Sequence, residues 1–291
     1  MSVKDLASGK DYKDENFPVA SVLLAKKHRA PIMAFYNFAR AADDVADNAE
    51  ATPDEKLKLL DEMERTLMGE RDVSYDAHAL RLVLDKHEMS PQHPLMLLEA
   101  FRRDVTKKRY ADWDDLMDYC RYSAMPVGRF VLDVHGESRE TWPANDALCA
   151  ALQVINHLQD CAKDYRELDR VYLPLDVMET QSMAIGVLSE PKATPGLRAV
   201  LAELGRRTAR LLDQSRPFAR QIRDRRLSLE VSVIQTLAED LNSRLLVRDP
   251  LSERVHHRRF EMPGLLLRAV GRFAAARLGP KRDGIEARPV P

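Results

Sequence analysis

Apolar residues recur every three to four positions through most of this chain, and the alternating apolar–polar runs that half-buried strands need are missing. The pattern predicts an all-α protein. After an irregular polar lead-in to Asn16, a short helix is expected over 17–29. A second opens at Ala30-Pro31, where a first-turn proline gives up no intrahelical bond. It runs through Met33, Tyr36, Asn37 and Arg40 into an acidic cluster at 43–47. Thr52-Pro53-Asp54-Glu55 has the form of an N-cap followed by an acidic first turn. Further helices are predicted over 75–87, 91–107, 112–135 (interrupted by Pro126 and Gly128), 143–165, 194–225 and 227–247. Asp169-Arg170-Val171-Tyr172-Leu173-Pro174 ends the 143–165 element and turns the chain. With no internal repeat and no linker-like stretch, the chain reads as one helical domain over 1–249 followed by an extension over 250–291.

Composition adds limits. The 291 residues are 45% hydrophobic and 31% charged, which suits a globular protein with a sizeable core. A net charge of −1 gives no reason to expect a nucleic-acid partner. The charge is uneven, however. From Arg244 onward there are eleven Lys/Arg against five Asp/Glu, which leaves the preceding part about seven units acidic. Within the basic extension, 264–278 places Leu266, Val270 and Phe273 on one side and Arg268 and Arg272 on another. Such a helix either lies on an anionic membrane surface or packs on the domain as a terminal helix. Residues 281–291 are expected to be a disordered tail. Cys120, Cys149 and Cys161 lack metal or disulfide spacing and read as core thiols in a reducing cytoplasm. The N-terminal residues show no signal peptide, and no apolar stretch of 18 residues is present to span a membrane.

The chemistry concentrates in two acidic motifs about 117 residues apart, Asp43-Asp44-Val45-Ala46-Asp47 and Asp160-Cys161-Ala162-Lys163-Asp164. Each carries two Asp at i, i+4, one turn apart on the same helix face. On the first helix Tyr36, Arg40, Asp43 and Asp47 share a face; on the second, Gln153, Asn156, Asp160 and Asp164 form a stripe. Either stripe alone is also compatible with a solvated surface. Two facing carboxylate pairs repel each other unless cations sit between them, and Mg²⁺, with its preference for hard oxygens and retained water sites, is the natural guest beside a diphosphate. Tyr119 to Gly128 is unusual for a helix: Pro126 kinks it and Gly128 permits close approach, leaving room for an elongated apolar ligand or simply a kinked packing helix. His157 reads as a structural histidine. A di-iron carboxylate bundle would need two Glu-x-x-His motifs, and one occurs, at 253–256. A non-catalytic helical scaffold would leave the carboxylate stripes as a liability.

Four segments taken in order, 36–47 (YNFARAADDVAD), 119–128, 153–160 (QVINHLQD) with Asp164, and 170–174 (RVYLP), resemble the squalene/phytoene synthase family over about residues 16–247. The resemblance implies a type I isoprenoid synthase helical bundle around a deep apolar cavity. It implies Asp43, Asp47, Asp160 and Asp164 as ligands of Mg²⁺, with Mn²⁺ as a substitute. Asn156 matches a catalytic position beside those ligands, and Gln153 a cavity residue above it. Arg40 and Arg170 match diphosphate-binding positions, with Tyr172 close to them. Tyr36, Tyr119, Ser123, Val127 and Gly128 match cavity positions near the reacting carbons; Tyr36 and Tyr119 would face the carbocation or orient water. Phe17 matches an N-terminal cavity residue.

The departures from the family pattern choose a branch. Where many members read Leu-Arg-Asp and place Glu before the last Asp, this chain has Leu158-Gln159-Asp160 and Lys163. These residues, and the run over 14–21 (DENFPVAS), resemble the bacterial hydroxysqualene synthases of the hopanoid pathway. That branch takes presqualene diphosphate and water to hydroxysqualene without NADPH. It stands between a presqualene diphosphate synthase and a hydroxysqualene reductase, in the cytoplasm or peripherally on the inner face of the membrane. A neutral residue at 159 suits a site trimmed to ionise one diphosphate rather than join two chains. The alternative is a presqualene diphosphate or phytoene synthase.

Overall fold

The computed structural model describes residues 25–278, with side chains to 275. Phe17, the polar lead-in and the tail from 281 lie outside the described residues. Those described form twelve α-helices: α1 (Lys26–Asp47), α2 (Pro53–Leu67), α3 (Tyr75–Lys86), α4 (Gln92–Thr106), α5 (Trp113–Ser123), α6 (Met125–Val134), α7 (Trp142–Leu168), α8 (Leu175–Glu179), α9 (Pro195–Ser215), α10 (Phe218–Gln221), α11 (Arg225–Leu245) and α12 (Met262–Leu278). The expected all-α class is what is found.

Three boundaries differ from expectation. α1 is continuous from Lys26, with no break at Ala30, and Pro31 lies inside its second turn. So near a helix N-terminus a proline removes a single intrahelical bond, and burial of Ile32, Phe35 and Phe38 offsets that cost. The expected 194–225 helix is two, because Pro217 cannot continue α9. The 112–135 element is likewise two helices, α5 ending at Ser123 and α6 starting at Met125, with Pro126 in the first turn of α6. The Thr52 cap forms as expected: its hydroxyl accepts from the Glu55 amide, and the Glu55 carboxylate accepts from the Thr52 amide at 2.8 Å.

The helices enclose two apolar cores. One joins α1–α4 through Phe35, Phe38, Leu60, Met63, Leu80 and Leu97, with Phe130 of α6 stacked on Phe35 at 4.0 Å. The other joins α5–α9 and α11 through Leu116, Leu132, Leu148, Ile155, Leu204 and Leu241. Each such side chain contributes about 1.5–3 kcal/mol on burial. α4 and α6 serve both cores, and α1 reaches the second through Ile32. α1 packs on α2, α3, α4 and α6, and α7 on α5, α6, α9 and α11, yet α1 and α7 share no extended interface. The two motif-bearing helices therefore face each other across a gap.

α7 ends where Asp169 adopts the left-handed conformation (φ 52°). Its amide and that of Arg170 cap the Tyr165 and Asp164 carbonyls at 3.1 Å. Asp169 is fastened by Arg109, whose Nη2 donates to its carboxylate at 2.5 Å, and Val171 donates to the Lys108 carbonyl at 2.9 Å. This turn directs Arg170 and Tyr172 back into the bundle.

Beyond Asp249 the chain folds onto the bundle. α12 packs on α11, with Met262, Leu265 and Ala269 against Val233 and Leu237. Arg244 of α11 bonds Asp240 at 2.6 Å and Glu261 at 3.0 Å. The packed face is one residue out of step with the apolar side expected from sequence: Leu266 and Val270 remain 41% and 47% exposed, and Leu267 75%. No described helix is long and apolar enough to cross a membrane.

Candidate active site

On α1, Arg40 is gripped by the first acidic motif. Its guanidinium lies 2.9 Å from the Asp43 carboxylate and 2.6 Å from that of Asp44. Asp47 pairs instead with Arg170, Nη1 to Oδ1 at 2.5 Å. Arg170 is buried and also donates to the Ala46 carbonyl at 3.1 Å and the Asp104 carbonyl at 3.0 Å. Burial opposes its charge, but Tyr172, Asp104 and Asp47 more than compensate and hold it protonated. Asp43 is pushed up to about 7 by burial and by the neighbouring Asp47, with Arg40 pulling the other way. A carboxylate that resists ionisation next to a second carboxylate one turn away is a donor set that a hard cation completes, so the residues fit Mg²⁺.

Asp104, a residue the sequence reading passed over, is the hub between the motifs. Its carboxylate is buried and accepts from both Tyr119 Oη and Tyr172 Oη at 2.8 Å. Burial raises its pKa; Arg170 and the two hydroxyls oppose that. Both tyrosines are driven well above their usual range by burial and then by Asp104, so they stay protonated donors. Tyr172 stacks on His157 with ring centroids 3.6 Å apart. Gln153 Nε2 lies 3.1 Å from His157 Nε2, and His157 Nδ1 faces Asp164 Oδ2 at 3.9 Å. Contacts thus pass from Asp47 to Arg170, to the Asp104 backbone carbonyl, from the Asp104 carboxylate to Tyr172, and by stacking to His157, whose ring stands 3.9 Å from Asp164. His157 is a member of this path as well as a packing residue. A carboxylate falling in register with buried Leu97 and Ala100 on α4 was the available signal for Asp104.

Across the gap, Arg40 lines a cleft of about 800 Å³ together with Asn156, Gln159, Asp160, Lys163 and Arg166 of α7 and the loop 250–256. Arg40, Lys163, Arg166 and Arg254 outnumber Asp160 and Glu253 on its wall, a balance that favours an anion. The loop is fastened by Gln159, whose Nε2 donates to the Val255 carbonyl at 2.5 Å. Gln159 Oε1 and His256 Nδ1 are buried there with no partner among the described residues. Arg166, Arg254 and His256 were not anticipated from sequence, because the loop that brings 254 and 256 to α7 leaves no local pattern.

At the α5–α6 break, Tyr119 belongs to the Asp104 hub, and Ser123 Oγ is buried without a described partner. Val127 is 41% exposed. Gly128 faces α7: a Cβ there would sit 2.0 Å from Asn145 Oδ1 and 2.7 Å from Cys149 Sγ. The close approach it permits is therefore between helices. Tyr36 and Asn156 are half-buried. The cysteines are free, and burial pushes Cys149 and Cys161 up to about 12, which makes them inert thiols.

The sequence profile of the squalene/phytoene synthase family matches residues 11–261. The chain belongs to the squalene/phytoene synthase family. Among members of that family, it is 55% identical to a hydroxysqualene synthase of Rhodopseudomonas palustris, over 88% of this chain and 87% of the relative. It is 54% identical to a hydroxysqualene synthase of Zymomonas mobilis, over 94% of this chain and 93% of the relative. A crystal structure of a squalene synthase from Alicyclobacillus acidocaldarius superposes with a TM-score of 0.71 at 30% identity, covering 83% of this chain and 90% of that one. Membership of that family identifies the protein as an isoprenoid synthase acting on a prenyl diphosphate.

Proposed function

We propose that the protein converts presqualene diphosphate and water to hydroxysqualene and diphosphate, within squalene and hopanoid biosynthesis. The observation that carries this branch is the identity above one half, over most of the chain, to relatives named hydroxysqualene synthase. Asp43, Asp47, Asp160 and Asp164 are assigned as ligands of Mg²⁺, with Mn²⁺ as a substitute. When bound, the cation neutralises the diphosphate and makes it a better leaving group.

The remaining roles fall to the chain itself. Arg40 and Arg170 bind diphosphate oxygens, each released from a carboxylate it holds in this structure, and Tyr172 orients Arg170 through Asp104. Phe17, Ser123, Val127, Gly128 and Gln153 are assigned to the hydrocarbon. As the carbon–oxygen bond breaks, the diphosphate leaves with the electron pair. The cyclopropylcarbinyl cation rearranges beside Tyr36 and Tyr119, and water supplies the new carbon–oxygen bond and loses a proton. Tyr119 contributes its ring, since its hydroxyl is committed to Asp104. Asn156, which lines the cleft beside Asp160, is assigned a catalytic role next to the metal ligands. No hydride moves, so NADPH is not required.

Purified protein given presqualene diphosphate and Mg²⁺ without reductant is expected to release hydroxysqualene. Rapid formation of presqualene diphosphate or phytoene from prenyl diphosphates alone would overturn the branch. The di-iron reading loses its remaining support: Glu253 pairs with Arg248 at 2.5 Å in the cleft loop, with no second motif opposite.

The enzyme is proposed to be cytoplasmic and to work between a presqualene diphosphate synthase and a hydroxysqualene reductase. Its docking to an anionic membrane is assigned to the outward face of α12, where exposed Leu266, Leu267 and Val270 accompany Arg268.

A further inference from the structure

Away from the cleft, three helix ends bring two histidines and an aspartate together. His28 stands in the first turn of α1, His135 caps α6, and Asp224 caps the N-terminus of α11. One ligand-type atom from each lies within 4.8 Å of the others. The two imidazole rings are 4.0 Å apart between centroids and tilted by 30°.

The hydrogen bonds around the three side chains leave the right atoms over. His135 Nδ1 bonds the Val131 carbonyl at 2.8 Å, which fixes the proton on Nδ1 and leaves Nε2 as a bare lone pair. That Nε2 is buried and has no partner among the described residues. Burial and the neighbouring His135 lower the pKa of His28, while Asp224 and the Val134 backbone act the other way. Asp224 spends Oδ1 on the Arg226 and Leu227 amides, 2.8 and 3.2 Å away, and Oδ2 has no hydrogen bond among the described residues. An imidazole whose second nitrogen is bonded to a backbone carbonyl is oriented as metal-ligating histidines are.

A second layer holds the aspartate. The Glu137 carboxylate is 8% exposed and accepts from the Arg223 amide at 2.9 Å and the Asp224 amide at 2.8 Å. The nearest cations do not fill the space: Lys27 is exposed, and the Arg223 guanidinium is drawn to the Gly136 carbonyl and to Glu137.

We infer that His28, His135 and Asp224 form a binding site for a borderline-soft divalent cation of the zinc class, with water as the fourth ligand. Two imidazoles and a carboxylate disfavour Mg²⁺ and suit Zn²⁺, so this site and the aspartate motifs select different ions. Ligand atoms around tetrahedral zinc stand about 3.3 Å apart. The three groups close to that spacing by small side-chain rotations at helix ends. A bound cation would lock the start of α1, which carries the first aspartate motif, to α6 and α11.

The test is Zn²⁺ binding to the full-length protein by equilibrium dialysis with elemental analysis, in millimolar Mg²⁺ so that the aspartate motifs are occupied. One tightly held equivalent is expected. His135→Gln and Asp224→Asn, which retain a helix-compatible amide and an N-cap, should each weaken it at least tenfold while leaving the far-ultraviolet circular dichroism unchanged. Asp43→Asn should retain it. Zn²⁺ should also raise the thermal midpoint of the wild type and not of these two variants. If either variant fails to fold, Co²⁺ loaded into the wild type provides the second reading, because nitrogen-ligated tetrahedral Co²⁺ absorbs in the visible. Absence of a Zn²⁺ equivalent, its survival in both variants, its loss in Asp43→Asn, or an octahedral oxygen-ligated Co²⁺ spectrum would each overturn the site.

Discussion

Asp104 gives up its hydration to hold two tyrosine hydroxyls, and beside it Arg170 is buried with Asp47 as its only side-chain carboxylate partner among the described residues. Asp104→Ala would leave two phenols unpaired and deprive Arg170 of a nearby countercharge. Loss of a partner in such a set costs about 3–5 kcal/mol, to be read as a fall in urea midpoint at constant slope. Tyr172→Phe should cost about 1–3 kcal/mol by leaving one carboxylate oxygen unbonded, and should reduce turnover more than it alters helicity. Asp43 makes a prediction in pH. Its folded-state value, about 7, lies above the ordinary 3.8, so the folded chain keeps a proton that the unfolded chain surrenders. This contribution to stability is complete below pH 4 and lost as the pH rises toward 7. In chelator, the wild type should therefore lose stability relative to Asp43→Asn across that window, and Mg²⁺ should restore it; parallel curves would refute the assignment. These values also show what the sequence could and could not convey. The i, i+4 carboxylates were visible as a pattern, whereas Asp104 sits in a run with Arg102, Arg103 and Lys107 that looks solvated unless its register with Leu97 and Ala100 is followed.

α6 and α7 meet through Gly128, and this contact sets how near the α5–α6 break comes to the second motif. Gly128→Ala would drive a Cβ into Asn145 and Cys149, forcing the helices apart at a cost of about 1–3 kcal/mol. A thermal midpoint unchanged from wild type would show that the pair can slide without loss. Most helices were legible because their apolar spacing runs for three or more turns. The errors fall where a local rule was outvoted. Pro31 signalled a helix start, yet the five residues before it already wind into α1, because one missing bond is cheaper than ending a helix whose next residues are buried. On α12, Leu266, Val270 and Phe273 outweighed Leu265 and Ala269 by size, although a small Ala lets α12 approach α11. A difference of one residue is about 100° of helix rotation, enough to exchange packed and open faces.

The motif helices share no extended interface, and the loop beyond Asp249 helps to wall the cleft between Arg40 and α7. Deleting everything after Asp249 would therefore strip part of the cleft and bare Val233 and Leu237 at the same time, confounding any membrane assay. Leu266→Ser with Leu267→Ser changes the outward face alone. This pair should lower cosedimentation with anionic vesicles at least threefold while turnover of dispersed substrate stays near wild type; equal sedimentation would remove α12 from membrane contact. The joining of α7 to loop 250–256 is the part of the molecule least legible in sequence, since partners 96 residues apart share no periodicity. Gln159 departs from the family's usual second motif, and the same side chain is the fastener of the cleft's far wall. An arginine at this position would have to lodge a guanidinium where only 8% of the residue is exposed, beneath the closed loop. Gln159→Arg made alone should therefore break the bond to Val255 and loosen the cleft's far wall.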